Sequence, residues 1–134
     1  MSITISDQKN VFKIICALTA ASVKFLGTMQ RVFDESDLGS VPRLENDPVW
    51  TFSLAGRQIK VVQQPVLVDD AIVGLMQFYS CHPITEEVTL QTQLHIDQLG
   101  NVKHEWSRLA ISNESFSEVA AFVSRLTEKL VGIH

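Results

Sequence analysis

At 134 residues, 46% apolar and 19% charged, the chain is long enough to bury a core of its own without disulfides or metal, and residues 1–134 read as a single domain. Its net charge of −4 is unevenly spread. Lys9, Lys13, Lys24 and Arg31 outweigh Asp7 in the first 33 residues, whereas Asp34, Glu35, Asp37, Glu45 and Asp47 outweigh Arg43 in the next stretch, and the remainder carries six basic against nine acidic residues. With no basic field over the body of the chain, nucleic acid is excluded as a partner class.

Residues 6–33 sort by charge when wound as a helix. Lys9, Lys13, Lys24 and Arg31 fall within about 60° of one another. Val11, Ile14, Ile15, Leu18, Phe25, Leu26, Met29, Val32 and Phe33 fall opposite. Ser6 suits the N-cap, with Asp7 at the positive end of the helix dipole. A helix of that length spans about 42 Å, so it should overhang a sheet or bend near Gly27. Ala17, Ala20 and Gly27 leave room for close approach of another helix. The basic ridge formed by Lys9, Lys13, Lys24 and Arg31 reads first as the wet side of a docked helix, and second as a contact for an acidic partner or an anionic membrane. The run Ile14–Ala21 superficially resembles a secretory leader, but it is short, Asp7 sits in the would-be basic region, and the basic ridge continues to Arg31. The same run is too short, and too closely flanked by lysines, for a membrane span. Cys16 and Cys81 are too few and too distant for a disulfide framework, which fits a reducing, cytoplasmic setting.

Residues 34–47 read as an acidic loop punctuated by Gly39 and Pro42. Its Asp34-x-Ser36-x-Leu38-Gly39 faintly echoes a calcium loop, with Leu38 where a ligand is required. Residues 49–63 then form a hairpin. A two-residue turn at Ala55-Gly56 places Phe52 opposite Ile59 and Trp50 opposite Val61, both apolar pairs. Pro65 ends the strand or marks an edge or bulge. Residues 66–80 admit two readings. One is strand, turn at Asp69-Asp70 and a doubly buried strand 71–79; the other is a helix with Ile72, Leu75, Met76 and Tyr79 as its stripe. Phe and Val content and Gly74 favour the strand.

Val88, Leu90, Thr92, Leu94 and Ile96 alternate with polar residues, and Asp97-Gln98-Leu99-Gly100 suits a type I turn with Gly100 left-handed. The implied register pairs Ile96 with Val102, Leu94 with His104 and Thr92 with Trp106 on the buried face. On the wet face it pairs His95 with Lys103 and Gln93 with Glu105. Ser115-Phe116-Ser117-Glu118 is a capping box opening a final helix, with Val119, Phe122, Val123, Leu126 and Leu130 as its apolar stripe and Gly132 as its stop. The expected architecture is α+β: a long N-terminal amphipathic helix, an antiparallel sheet of about four to five strands, and a C-terminal amphipathic helix packed on that sheet.

Chemistry is sparse. The six glycines are isolated from one another, so no phosphate-cradling loop exists, and there is no nucleophile elbow, paired cysteine motif or His-Glu-x-x-His. His95 and His104 face opposite sides of the hairpin and cannot converge on one ion, so no metal and no other cofactor is expected. Cys81-His82-Pro83 puts a thiol beside an imidazole, but neighbours on an extended chain point apart and no third group orients them. No catalytic residue is assigned.

The segment LQTQLHIDQLGNVKHEWSRLAISNESFSEVAAFVSRLTEKL (residues 90–130) resembles the C-terminal part of the type III secretion chaperone-like superfamily, through a hairpin with an acidic-glycine turn (Asp97, Gly100) followed by an amphipathic helix. The resemblance implies a small, acidic, dimeric α+β protein that binds other proteins without catalysis. The element order would match as well if residues 69–80 were helical. The resulting expectation is a non-catalytic protein-binding module acting as a homodimer. The alternative is a small-ligand-binding or enzymatic domain whose pocket lies between sheet and first helix, lined by Trp50, Phe52, His104 and Trp106.

Overall fold

A single helix, α1 (Ile5–Ser36), opens the chain and runs 32 residues, or about 48 Å. The computed structural model describes residues 5–36, 43–46 and 49–132, with side chains for 10–36 and 49–132. The structure of residues 37–42, and with it most of the acidic loop and the calcium-like motif, lies outside the described residues, as do the side chain of Lys9 and His134. From Leu18 to Phe33, α1 buries Leu18, Ala21, Phe25, Leu26, Met29, Val32 and Phe33. Residues 10–17 hold no fully buried side chain, so the N-terminal part overhangs the body as its length requires. By length and composition, Asn10–Ser36 is apolar enough to cross a membrane: mean hydropathy reaches 1.6 over an 18-residue window, of which 33% is buried inside this fold.

Seven antiparallel strands follow in chain order as a curled meander, each pairing with the next. They are β1 (Arg43–Asn46), β2 (Val49–Leu54), β3 (Arg57–Val68), β4 (Ala71–Cys81), β5 (Val88–Ile96), β6 (Asn101–His104) and β7 (Ile111–Ser112). The five central strands are those expected; β1 and β7 are short edges. Strand β1 replaces the end of the supposed acidic loop, and Arg43 and Glu45 are residue types that suit an edge strand.

Local chemistry accounts for the register. Ala55 and Gly56 both adopt positive φ, as do Asp69 and Asp70, which makes both turns two-residue hairpins whose twist matches the strands. Phe52 pairs with Ile59 and Trp50 with Val61. Segment 66–80 is strand, turn and strand, so the helical alternative, and with it the chaperone-like element order, is not realised. Pro65 does not end β3. It lies opposite Gly74, beyond Val62 where β2 pairing stops. The hairpin parity makes Val68–Ala71 a hydrogen-bonded pair and Pro65–Gly74 a non-bonded one, so the nitrogen of Pro65 faces the open edge. Residues 65–73 therefore project as a two-stranded ribbon, with Leu67 70% exposed at its end.

Strand β5 departs from simple alternation. The ladder shifts between Phe78 and Tyr79, leaving Gln91 as an extra residue. Thr92, Leu94 and Ile96 are buried, but Val88 and Leu90 are exposed, because the bulge turns the strand's first half off the core. The carbonyl of Gln91 accepts a hydrogen bond from Lys129 Nζ instead. Across β5 and β6, Ile96 pairs with Val102, Leu94 with His104 and His95 with Lys103. The ladder then ends. Trp106 lies in a turn, and Glu105 accepts a hydrogen bond from Thr92 Oγ1 at 2.7 Å, so neither the Thr92–Trp106 nor the Gln93–Glu105 pair forms.

Helix α2 (Phe116–Leu130) buries Val119, Phe122, Val123, Leu126 and Leu130. The core lies between one face of the sheet and the two helices. Phe122 is its hub: its ring centroid lies 5.6 Å from Phe25 of α1, 5.4 Å from Phe78 of β4, 5.1 Å from His104 and 5.7 Å from Trp106. The capping box is not formed. Ser115 makes no side-chain cap bond, and Glu118 Oε2 accepts from the Ser112 amide at 3.1 Å.

Candidate functional site

The speculative pocket residues do not converge on an opening. Trp50 and Phe52 are buried core residues on β2, with Phe52 against Phe33 of α1 at 5.4 Å. His104 and Trp106 stack against Phe122 at the far side of the sheet. His104 Nδ1 accepts a hydrogen bond from the Trp106 amide at 3.1 Å, which assigns the ring proton to Nε2. Burial holds this imidazole below its ordinary value of 6.5, the nearby Glu105 carboxylate acting in the opposite direction with less effect. It is a half-buried histidine held against the core by Phe122.

Two cavities among the described residues are lined by other side chains. The larger, about 600 Å³, opens on the helix-free face of the sheet, where Gln58 and Lys60 of β3 sit beside Tyr79 and Cys81 of β4 under the loop 82–86. That loop is held by His82, whose Nδ1 accepts from the amides of Ile84 and Thr85, both at 3.1 Å. Glu86 closes it with a left-handed φ of 62° and donates its amide hydrogen to the His82 carbonyl at 3.0 Å. The Cys81 thiol points at the carbonyls of His82 and Glu86, at 3.9 and 3.8 Å. The imidazole nitrogen nearest the backbone is thus engaged as a turn acceptor, and the thiol faces carbonyl oxygens rather than a base. Nucleophilic activation has no geometric support there. That Lys60 and Tyr79 lie together could not be read from the sequence, because only cross-strand pairing places them side by side.

The smaller cavity, about 330 Å³, flanks α1 between Ala17, Ala20 and Lys24 and the turn at Leu99 and Gly100. Its floor is tied by Asn113, which donates from Nδ2 to the Ala21 carbonyl at 2.9 Å and accepts at its backbone carbonyl from Thr28 Oγ1 at 2.7 Å. Gly100 has φ +87°, and a Cβ there would stand 2.5 Å from Asn113 Oδ1, so glycine is required by both backbone and space. Nothing in the sequence indicated that Asn113 reaches α1, since Asn before a helix start reads as an ordinary turn residue.

The basic ridge is dispersed. Lys13 is exposed, Lys24 pairs with Glu114 at 3.3 Å, and Arg31 lies over the Phe116 ring at 5.6 Å. The outward face of α1 carries these cations interleaved with apolar and small side chains. Phe12 is 67% and Val23 52% exposed, Cys16 is an exposed free thiol, and Ala20 and Gly27 are exposed. Leu99, 85% exposed, borders that face. Among the described residues no group of three or more His, Cys, Asp or Glu side chains could hold a metal ion. Comparison of the chain with known protein families, with curated proteins and with solved structures finds no match.

Proposed function

We propose that this chain is a non-catalytic protein-binding module that works as a homodimer in the cytoplasm. The observation that carries the reading is the outward face of α1, a helix docked on the core through one side that keeps Phe12, Val23, Cys16 and Ala20 in solvent on the other. Burying one large apolar side chain contributes about 1.5–3 kcal/mol, so a helix–helix contact along this face gains several such terms. Exposed Lys13, Lys24 and Arg31 along the same side keep the monomer soluble. Support against catalysis comes from the two places where chemistry could gather: His104 is engaged in the core, and the Cys81 thiol and His82 Nδ1 are each turned to the backbone.

Light scattering coupled to size exclusion, at low and moderate salt, tests the proposal. The expected result is a species of twice the 15.0 kDa chain mass that is indifferent to salt, as apolar association is. A monomer at both salt concentrations over the micromolar range overturns it.

A further inference from the structure

We infer that the dimer forms by antiparallel pairing of α1 with α1 of a second copy, centred between Ala20 and Val23. The inference rests on the self-association proposed above and specifies its geometry. Helical periodicity puts Phe12, Cys16, Ala20, Val23, Gly27 and Asp34 on one side of α1, interleaved with Lys9, Lys13 and Arg31, the side turned away from the core residues Leu18, Phe25 and Met29. The face is self-complementary in one direction only. Lys9 and Lys13 lie toward the start of the helix, whereas Asp34 and Glu35 close it, with no basic residue in the last turn. A parallel copy would set like charges side by side. An antiparallel copy places position 9 opposite the partner's Asp34 and Lys13 one turn away from it.

That alignment has further consequences. It sets Ala20 against the partner's Val23, Cys16 against the partner's Gly27, and Phe12 against the partner's Arg31. Small residues thus meet larger ones, and a ring meets a guanidinium. Gly27 has open space where a Cβ would stand, so a second helix can approach there closely. The Glu114 partner of Lys24 lies to the side of this face, and no described acidic side chain lies at its centre. A second copy is favoured over a lipid surface because Asp34 and Glu35 close the face beyond its basic residues, and an anionic bilayer would repel that end.

The pairing predicts a specific cross-link. In a Cys81→Ser background, Gly27→Cys should form a disulfide with Cys16 of the partner under mild oxidation at micromolar concentration, shifting most of the chain to a dimer band on non-reducing gels. Directly facing positions on close-packed helices meet the 4.4–6.8 Å Cα separation that a disulfide needs. Without the new cysteine, the two Cys16 residues lie about 16 Å apart along the axis, 11 residues at 1.5 Å each, and should not cross-link. Cysteine placed at exposed Ser124 of α2 is the control for random collision and should give no dimer band. Thermal melting of Gly27→Ala guards against a folding defect at this position.

A dimer by light scattering without the Gly27→Cys cross-link overturns this register and leaves self-association standing. A monomer overturns both. A monomer that pellets with vesicles of phosphatidylcholine and phosphatidylserine, but not with phosphatidylcholine alone, overturns the inference in favour of a membrane surface.

Discussion

His104 shows how one residue's setting converts into a measurable property. It sits between Trp106 and Phe122, and burial lowers its proton affinity below the ordinary 6.5 against the weaker pull of Glu105. The folded chain therefore keeps it neutral where the unfolded chain begins to take up a proton. The contribution of His104 to stability is complete above about pH 6.5, the unfolded value, and declines as pH falls below it, because the unfolded state binds a proton that the folded site takes up less readily. His104→Phe keeps an aromatic ring against Phe122 and removes the titration. Its melting temperature should fall less between pH 7.5 and pH 5 than that of the unmodified chain. Equal losses in the two proteins would show that His104 is not a source of the acid sensitivity. Asn113 acts at the same scale in a different way: its side-chain amide and its backbone carbonyl bind α1, and its backbone N–H donates to Gly100 of the β5–β6 turn, three hydrogen bonds in all.

At the scale of elements, the start of α2 separates sequence motif from realised contact. Ser115 and Glu118 have capping-box spacing, yet Glu118 is drawn to the Ser112 amide and Ser115 caps with its backbone alone. Ser115→Ala should cost under about 0.5 kcal/mol, below the ~1 kcal/mol usual for a lost cap. Glu118→Ala should cost more, about 0.5–1.5 kcal/mol for the hydrogen bond and its place near the helix dipole. Urea denaturation of the two variants decides the order, and a costlier Ser115→Ala would mean that the capping box forms in solution. The same distinction governs what could be read from the chain. The two-residue turns and the Phe52–Ile59, Trp50–Val61 and Ile96–Val102 pairs were legible because each local choice agreed with the next. The Gln91 bulge was not, since Val88-x-Leu90 continues the apolar alternation while the ladder beneath it shifts. Inward-facing His104 and Trp106 were legible as inward but not as filled, because Phe122, on a helix far along the chain, occupies the space a pocket would need.

For the whole molecule, the architecture leaves an imbalance between the two sides of one helix. The inner side of α1 closes the core with Phe25, Met29 and Phe33, and the sheet and α2 complete the same cluster. The outer side is too apolar for a surface that only meets water, and too interrupted by lysines to be a core. The proposed self-association along α1 would account for both features and for the length of a helix that exceeds what the sheet can cover. In the β3–β4 ribbon, Leu67 and Val68 lie beyond the last β2–β3 pair and stay exposed.

The most direct measurement is sedimentation equilibrium of the unmodified chain beside Val23→Asp. Val23 is half in solvent, so the substitution should change monomer stability by less than about 0.5 kcal/mol. It nevertheless places two like charges at the centre of the proposed contact. The account predicts twice the 15.0 kDa chain mass for the unmodified protein and a folded monomer for Val23→Asp. A Val23→Asp protein that remains dimeric, or an unmodified protein that sediments as one chain, would contradict it.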